Sequence, residues 1–404
     1  MRVAIFEPEP RICGPVTWTR HLKAGFDDIG VECDIVTFTK SGRTKKYWGD
    51  DLEKPLGCGW SVVAPQRVER HRDAVAVLNE YDLVILTEPK NATQDKEAIR
   101  NGGLPYYVDW LANTTAQWTT ALHGPQYDPK RAPFLPDLFR VAGHNFTGHG
   151  ISHGYLPGWD FVATDETGTL SDFTWETSPL PFKLNPDVEL RLPEYSGVNT
   201  VGISGRCTPN KGHQLVGMLP AIMDVDAVLW GAASKGLGAN FTYIIWENLA
   251  KAGAVQEWRD GPDKHTPLNP FPWRVRWPDG QTTTYRGNYE TNEIMDTMDV
   301  HVNLTSPAFS GGLVEFSTLE AIDAGKPIIV NENVYDDRLT AETVNIVPPS
   351  VERLARGEAK AMADLWRLCR AIDSTLFNFT ALHHNRRVVE HFNHPGRIAR
   401  KFLA

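Results

Sequence analysis

Cysteine is too sparse and too scattered here to staple a fold or to hold zinc. The 404 residues contain five (Cys13, Cys33, Cys58, Cys207 and Cys369), an odd number with no Cys-x-x-Cys pair. A disulfide framework and a zinc site are therefore disfavoured, and reduced core or loop thiols are expected. Long apolar runs are also missing: none approaches the ~18–20 residues that span a bilayer. The opening Met1-Arg2-Val3-Ala4-Ile5-Phe6-Glu7 is too short and too acidic for a signal peptide. A soluble, cytoplasmic protein with no membrane partner is the expectation. The Walker pattern Gly-x-x-x-x-Gly-Lys-Ser/Thr is absent, so ATP-coupled phosphoryl transfer is not indicated. No Gly-x-Ser-x-Gly elbow supports a hydrolase. Positive charge is not in excess either. Lys and Arg number 41 against 50 Asp and Glu, a net charge of −9, which argues against non-specific coating of nucleic acid but leaves room for a local basic groove.

What is present is ordinary for a globular chain: 41% hydrophobic and 23% charged residues. That composition excludes disorder, collagen and coiled coil, and the length suits two or three domains. Short apolar runs alternate with helical patterns. Val3–Phe6, Cys33–Phe38, Asp82–Thr87 and Trp118–Leu122 read as strands, with helices near Thr17–Phe26 and Arg67–Leu78. Residues 156–197 are rich in Pro, Thr and acids and lack periodicity, as a connection between domains would. Alternation then restarts with strands at Thr200–Ile203, Ala227–Trp230, Val300–Leu304 and Pro327–Val330. Helices are read at Gly212–Leu219, Thr291–Met298, Gly312–Ala324 and Ala359–Phe377. Two successive α/β units predict paired Rossmann-like domains, with ligands at the carboxyl ends of the strands. The expected division is 1–185, 196–377 and a C-terminal helix over 378–404 that packs back on the first domain.

The segment 256–289 stands apart, with Trp258, Trp273, Trp277, Tyr285 and several Arg in a hydrophilic stretch. It reads as an inserted β-hairpin or loop whose aromatics pack on the domain beneath. Alternatively it is an acceptor surface on which Trp273 and Trp277 stack exposed bases and Arg276 meets phosphate. A second basic cluster, Arg43, Lys45 and Lys46, is the other candidate for DNA contact.

Two stretches could carry chemistry. Gly205-Arg206-Cys207-Thr208-Pro209-Asn210-Lys211-Gly212 follows a strand and opens a helix. There Arg206 and Lys211 can face a diphosphate while a helix N-terminus adds backbone N–H groups. In Ser306–Pro327, Gly311, Gly312 and Leu313 open the next helix, and a carboxylate further along can hold the hydroxyl pair of a ribose. Weaker candidates fall to structural readings. His144, His149 and His153 lie among glycines that argue against a metal-binding helix. Asp224-Val225-Asp226 precedes a strand as a solvated turn would. No metal site is expected.

The loop 205–212, with Leu319-Glu320-Ala321 and Gly325-Lys326-Pro327, resembles retaining glycosyltransferases of the GT-B fold. The order of elements matches across nearly all of the chain. The glutamate pair usual in that family is altered, because Gly312 stands eight residues before Glu320 and the upstream acid is Glu315. That variant, with the loop Cys13-Gly14-Pro15-Val16-Thr17, is similar to the DNA α-glucosyltransferases of T-even phages. The resemblance implies an α/β GT-B fold, two Rossmann-like domains facing each other across a cleft. It implies Arg206 and Lys211 on the donor diphosphate and Glu320 on the ribose. Glu315 would lie near the sugar or the basic pair, and Gly14 beside the donor phosphates. His123 would face the transferred sugar, with Asp128 the nearest substitute for the family's acid, whose place Gly124 takes.

The implied activity is transfer of a hexose, with glucose the first choice, from a UDP-sugar to a 5-hydroxymethyl pyrimidine in duplex DNA. The base would be flipped from its stack, the anomeric configuration retained, and no metal or other cofactor required of a monomeric enzyme. A GT-B transferase acting on a polysaccharide, lipid or small metabolite is the first alternative. A nucleotide-sugar or DNA-binding module without turnover is the second.

Overall fold

Short runs of Val, Ile and Leu, bounded by Gly and polar turns, build two mainly parallel sheets. The computed structural model describes residues 1–6, 14–38, 66–68, 71–87, 107–122, 143–153, 162–164, 170–172, 174–190, 198–231, 237–259, 272–286, 294–306, 314–375 and 379–404. These fall into two units. One takes the described residues through Lys183 together with Glu390–Ala404; the other takes Leu184–Val389. The division thus falls at 183/184 and again within the C-terminal segment.

The first unit contains β1 (Arg2–Phe6), α1 (Gly14–Asp28), β2 (Glu32–Phe38), β3 (Gln66–Val68) and α2 (His71–Leu78). It continues with β4 (Leu83–Thr87), α3 (Tyr107–Asn113), β5 (Gln117–Leu122), β6 (Phe146–Ser152), β7 (Val162–Thr164), β8 (Leu170–Asp172) and β9 (Thr174–Thr177). The sheet order β3-β2-β1-β4-β5-β6-β9 is that of a doubly wound domain, and its strand pairs are parallel. Both faces of such a sheet are covered, so β4 reads Leu-Val-Ile-Leu-Thr and is buried at every position.

Three expectations are corrected in this unit. Gly14 is the first residue of helix α1 rather than part of a loop. The amphipathic run from Arg67 begins as strand β3 before the helix starts at His71. Residues 156–197 include β9, an edge strand paired with β6, so part of that aperiodic stretch belongs to the sheet.

The second unit contains β10 (Thr200–Ser204), α4 (His213–Met218), β11 (Asp226–Trp230), α5 (Leu237–Lys251), β12 (Val255–Arg259), β13 (Trp273–Arg276), β14 (Thr282–Arg286) and β15 (Val300–Asn303). There follow α6 (Phe316–Asp323), β16 (Ile328–Asn331), β17 (Glu342–Val344), α7 (Val351–Ala355), α8 (Ala359–Thr375) and α9 (Phe379–Phe392), the last running into the first unit's share. The sheet order is β12-β13-β14-β11-β10-β15-β16-β17. Strand β10 lies between β11 and β15, and both pairings are parallel. The chain therefore reverses its winding direction beside β10, where ligands of such sheets collect outside the carboxyl ends.

The described part of the Trp-rich segment is antiparallel strand, as a hairpin would be, and it extends this sheet. β14 pairs parallel with β11, and β13 and β12 extend the edge antiparallel. Trp273-Arg274-Val275-Arg276-Trp277 alternates with the strand period, which sends Trp273, Val275 and Trp277 into the core and the arginines outward. Trp273 stacks on Tyr285 at 5.5 Å, and the indole of Trp277 donates to Thr283 Oγ1. The expected helix Thr291–Met298 is only a short 3-10 turn at Met295–Thr297. In place of one C-terminal helix there are two, α9 and α10 (Pro395–Lys401), and α10 packs along α1. The join is close: a Cβ at Gly25 would meet the carbonyl oxygen of Pro395 at 2.3 Å.

Candidate functional site

The site grows from the ends of β10 and β15. After β10 the chain turns through Gly205–Lys211 and enters α4 at Gly212, whose φ is +84°. A side chain there would be strained, and its Cβ would lie 2.6 Å from that of Leu304. The glycine thus lets the loop close onto the strand beside it. Helix α4 is buried at all six positions, so the loop is anchored from below.

Arg206 is exposed on this loop, and among the described residues its guanidinium makes no hydrogen bond or ion pair. Lys211 is fixed. Its ammonium donates to Thr305 Oγ1 at 2.9 Å and to Glu315 Oε1, with which it forms an ion pair. Thr305 Oγ1 lies 2.9 Å from Glu315 Oε1, and the amide of Asn303 donates to Glu315 Oε2 at 3.2 Å and to Thr318 Oγ1 at 3.0 Å. Burial pushes the Glu315 carboxyl up, but Lys211 and these donors more than offset it, so the group sits below its ordinary value.

Helix α6 starts at Phe316, later than the expected Gly312. Glu315 is consequently its N-cap residue, in extended conformation, and its carboxylate turns to Lys211 instead of capping the helix. Glu320 lies on the fifth residue of α6, half-buried, and among the described residues nothing donates to its carboxylate. Desolvation, aided by Asp323, raises its pKa to about 7. An acceptor partly withdrawn from water and left unpaired is suited to a ligand that brings hydroxyl donors.

Beneath the loop lie two fully buried histidines that the sequence reading did not single out. His213 faces the carbonyl of Trp230 at 3.1 Å, and His301 faces Ser204 Oγ at 3.1 Å. Burial lowers both to about 4, so they are neutral near pH 7 and add no charge to the site. Asn303 and Thr305 were also missed. The signal available for them was polar residues closing an apolar strand, Val300-His301-Val302-Asn303.

Of the remaining candidates, His123, Asp128, Gly311, Gly312, Leu313, Arg43, Lys45 and Lys46 lie outside the described residues. Trp273 and Trp277 require correction: at 2% and 3% exposure their rings are core, and no face is left for a base. Arg276 is exposed, but it shares Glu257 with Arg274, which cancels part of the positive charge on that edge. Asp226 Oδ1 accepts from the backbone and hydroxyl of Thr282, and Asp224 accepts from Gln281. Both acids are structural. His153 accepts from the indole of Trp18 and lies within 3.0 Å of the Ser178 and Pro179 carbonyls. Among the described residues no three His, Cys, Asp or Glu gather as a metal would require, and no helix is long and apolar enough to cross a membrane.

Two doubly wound units, with a basic loop and an acid-bearing helix at the switch point of the second, define the architecture. The chain has the GT-B fold. Over its whole length it is similar to phage T4 α-glucosyltransferase in complex with UDP-glucose and DNA containing an abasic site, at 14% identity, with 98% of that chain covered and a TM-score of 0.62. The same enzyme with UDP and a 13-mer DNA containing an HMU base matches 95% of each chain, at 15% identity and a TM-score of 0.57. HepE of Anabaena, in complex with UDP and glucose, matches all of this chain and 98% of its own, at 12% identity and a TM-score of 0.53. No protein-family model matches the sequence, and no curated protein sequence does so either.

Proposed function

We propose that this chain is a glycosyltransferase that draws a hexose, glucose first, from a UDP-sugar. The observation that carries the reading is the set at the β10/β15 switch point. It comprises a free Arg206, a Lys211 held on two acceptors, and an unpaired, desolvated Glu320 on the helix that follows. Similar folds bound to UDP, UDP-glucose or glucose support it. On this reading Glu320 accepts from the ribose hydroxyls, while Arg206 and the remaining N–H of Lys211 meet the diphosphate. As the bond from the anomeric carbon to the phosphate oxygen breaks, negative charge collects on UDP and these cations stabilise it. The acceptor hydroxyl forms the new bond on the same face of the sugar and passes its proton to a leaving phosphate oxygen. The α configuration is thereby retained with no enzymic nucleophile. The cations supply the charge stabilisation that a metal would otherwise give, so turnover is expected to survive EDTA.

For the acceptor we propose a 5-hydroxymethyl pyrimidine flipped from duplex DNA, with His123 and Asp128 at the transferred sugar and Gly14, Gly311, Gly312 and Leu313 around the donor. The DNA-bound complexes of a similar fold support it, and so does the basic run of Arg43, Lys45 and Lys46. A specific observation favours a second reading, in which the acceptor is a saccharide, lipid or small metabolite. The net charge is −9, and Glu257 engages Arg274 and Arg276. The test is mass spectrometry of nucleosides after incubation with hydroxymethylated or plain duplex and a panel of UDP-sugars. A hexose-bearing pyrimidine from the modified duplex alone is the expected product. UDP-sugar cleavage with no change to either DNA would overturn the DNA acceptor and keep the transferase. Binding of UDP-sugar with no cleavage under any acceptor would leave a binding module.

A further inference from the structure

We infer that Asn303 and Thr305 are positioning residues that hold the Lys211 ammonium on two acceptors and leave one N–H free for a ligand oxygen. The inference rests on the donor-site reading above, but its geometry is a property of the protein alone. An ammonium has three donors and no acceptor. Two are taken, by Thr305 Oγ1 at 2.9 Å and by Glu315 Oε1. The Thr305 hydroxyl carries a single proton and has two acceptors in reach, Asn303 Oδ1 at 2.8 Å and Glu315 Oε1 at 2.9 Å. The carboxylate is the stronger acceptor, and Asn303 Oδ1 already receives the Thr305 backbone N–H at 3.1 Å. The proton therefore goes to Glu315 and closes a triangle of Lys211, Thr305 and Glu315.

Asn303 fixes that triangle from below. Its amide orientation is determined, because Oδ1 accepts from Thr305 N while Nδ2 donates to both Glu315 Oε2 and Thr318 Oγ1. Asn303 is 4% exposed, Thr305 0% and Thr318 1%, so water cannot replace any of these partners cheaply. Glu315 with three donors stays ionised, and its charge stays with Lys211 rather than with an incoming sugar. The two cations of the loop consequently differ. Arg206 brings uncompensated charge on an exposed side chain, whereas Lys211 brings one directed donor on a neutralised pair.

The test begins on the free protein. Nitrogen-detected NMR of the Lys211 ammonium, assigned by its loss in Lys211→Gln, should show slow proton exchange in the parent and in Thr305→Ser. The signal should exchange away in Thr305→Val and in Asn303→Asp, which removes the donor to Glu315 and adds a like charge. UDP titrations should then show about tenfold weaker binding in those two variants and parental binding in Thr305→Ser. Uridine, which has no phosphate, should bind all of them alike, a pattern that general loosening of the fold would not give. An unprotected ammonium in the parent, an unchanged one in folded Thr305→Val, or parallel losses of UDP and uridine would overturn the inference. Should Thr305→Val not fold, Asn303→Asp carries the comparison. If the parent binds no UDP, the donor-site reading falls, while the ammonium data still decide how Lys211 is held.

Discussion

Arg206 and Lys211 sit on one loop and have the same charge, yet removing them should have different consequences. Arg206→Ala takes away an exposed side chain with no described partner, so the melting temperature should stay within about a degree of the parent while turnover falls by ~2–4 kcal/mol in barrier terms. Lys211→Ala should cost the same in turnover and also strand Glu315. Both members of the pair are 24% exposed, which moderates the penalty to roughly 1–3 kcal/mol of stability. Steady-state kinetics beside urea titrations separate the two effects, and equal stability losses would contradict the pairing.

Glu320 makes a pH prediction. Its folded pKa of about 7 lies above the ordinary 4.5, so ionising it costs the free protein stability as pH rises between those values. Ribose hydroxyls would donate to the ionised form and pull the pKa down, so UDP binding should release a proton near pH 7 and tighten as pH rises, by at most about tenfold per unit. Calorimetry in two buffers of different ionisation heat measures that proton. Glu320→Gln should abolish it, and should be more stable than the parent at pH 8 by about 2–3 kcal/mol while matching it near pH 4. An unchanged proton count in the variant would remove Glu320 from the ribose.

Elements differ in how openly they show themselves in sequence. The buried parallel strands were legible because Val3–Phe6 or Leu83–Thr87 admits no other reading in so short a run. Loop 205–212 was legible as a strand-to-helix turn because its glycines and Pro209 interrupt the apolar pattern. A use on phosphate leaned on the family resemblance, since a basic loop in that place is as often a solvated turn. Strand β13 was legible in pattern but not in consequence: Trp-Arg-Val-Arg-Trp alternates, yet which face lay inward depended on α5 and Tyr285, which only the fold brings to it. Strand β6, Phe-Thr-Gly-His-Gly-Ile-Ser, has neither alternation nor β-branched density, and its neighbours β5 and β9 impose its extension. The Asn303–Thr305–Glu315 network stayed hidden because it joins the end of one strand to the cap of the next helix.

One close approach between elements yields a prediction at this scale. Gly231, directly after β11, lies so near loop 205–212 that a Cβ would stand 2.5 Å from the Gly205 carbonyl oxygen and 3.0 Å from Cys207 Cβ. Neither backbone can yield without moving the loop. Gly231→Ala should therefore cost ~1–3 kcal/mol and weaken UDP binding together, whereas Gly253→Ala, with open space around it but a φ of +111° that strains a side chain, should lose stability alone and leave UDP affinity at the parental value. Thermal melts and UDP titrations of the two variants make the comparison, and a tight UDP complex in Gly231→Ala would dissociate the loop from binding.

At the scale of the whole molecule, the buried titratable groups among the described residues are shared unequally between the two units, and acid should reveal it. The first unit holds His21 and His153, both buried, with pKa values lowered to about 3 and about 4. Desolvation is the main cause, with Arg20 and Lys183 adding to it at His21 and Lys401 at His153, where carbonyl contacts oppose it. The unfolded chain protonates these rings near pH 6.5 and the folded one does not, so the stability they confer is complete above pH 6.5 and drains away as pH falls toward 4. Near pH 5 this is a difference of nearly two protons, roughly 2–3 kcal/mol per pH unit.

The second unit carries the matching pair His213 and His301, both lowered to about 4, but also Glu320 and Asp323, raised to about 7 and about 6. Near pH 5 those two carboxyls are protonated in the folded state and mostly ionised in the unfolded one, which binds protons in the opposite sense. The two contributions nearly cancel. The first unit should thus lose its structure at a higher pH than the second, with exchange protection of β1, β4 and β5 disappearing while that of β10, β11 and β15 persists. Hydrogen–deuterium exchange with peptide-level readout between pH 4.5 and 7, corrected for the intrinsic rate at each pH, would resolve the order. Replacing His153 by Gln should move the first transition to lower pH without touching the second. Simultaneous loss of protection in both units at every pH would show that they unfold as one body and that the uneven placement of these groups has no separate effect.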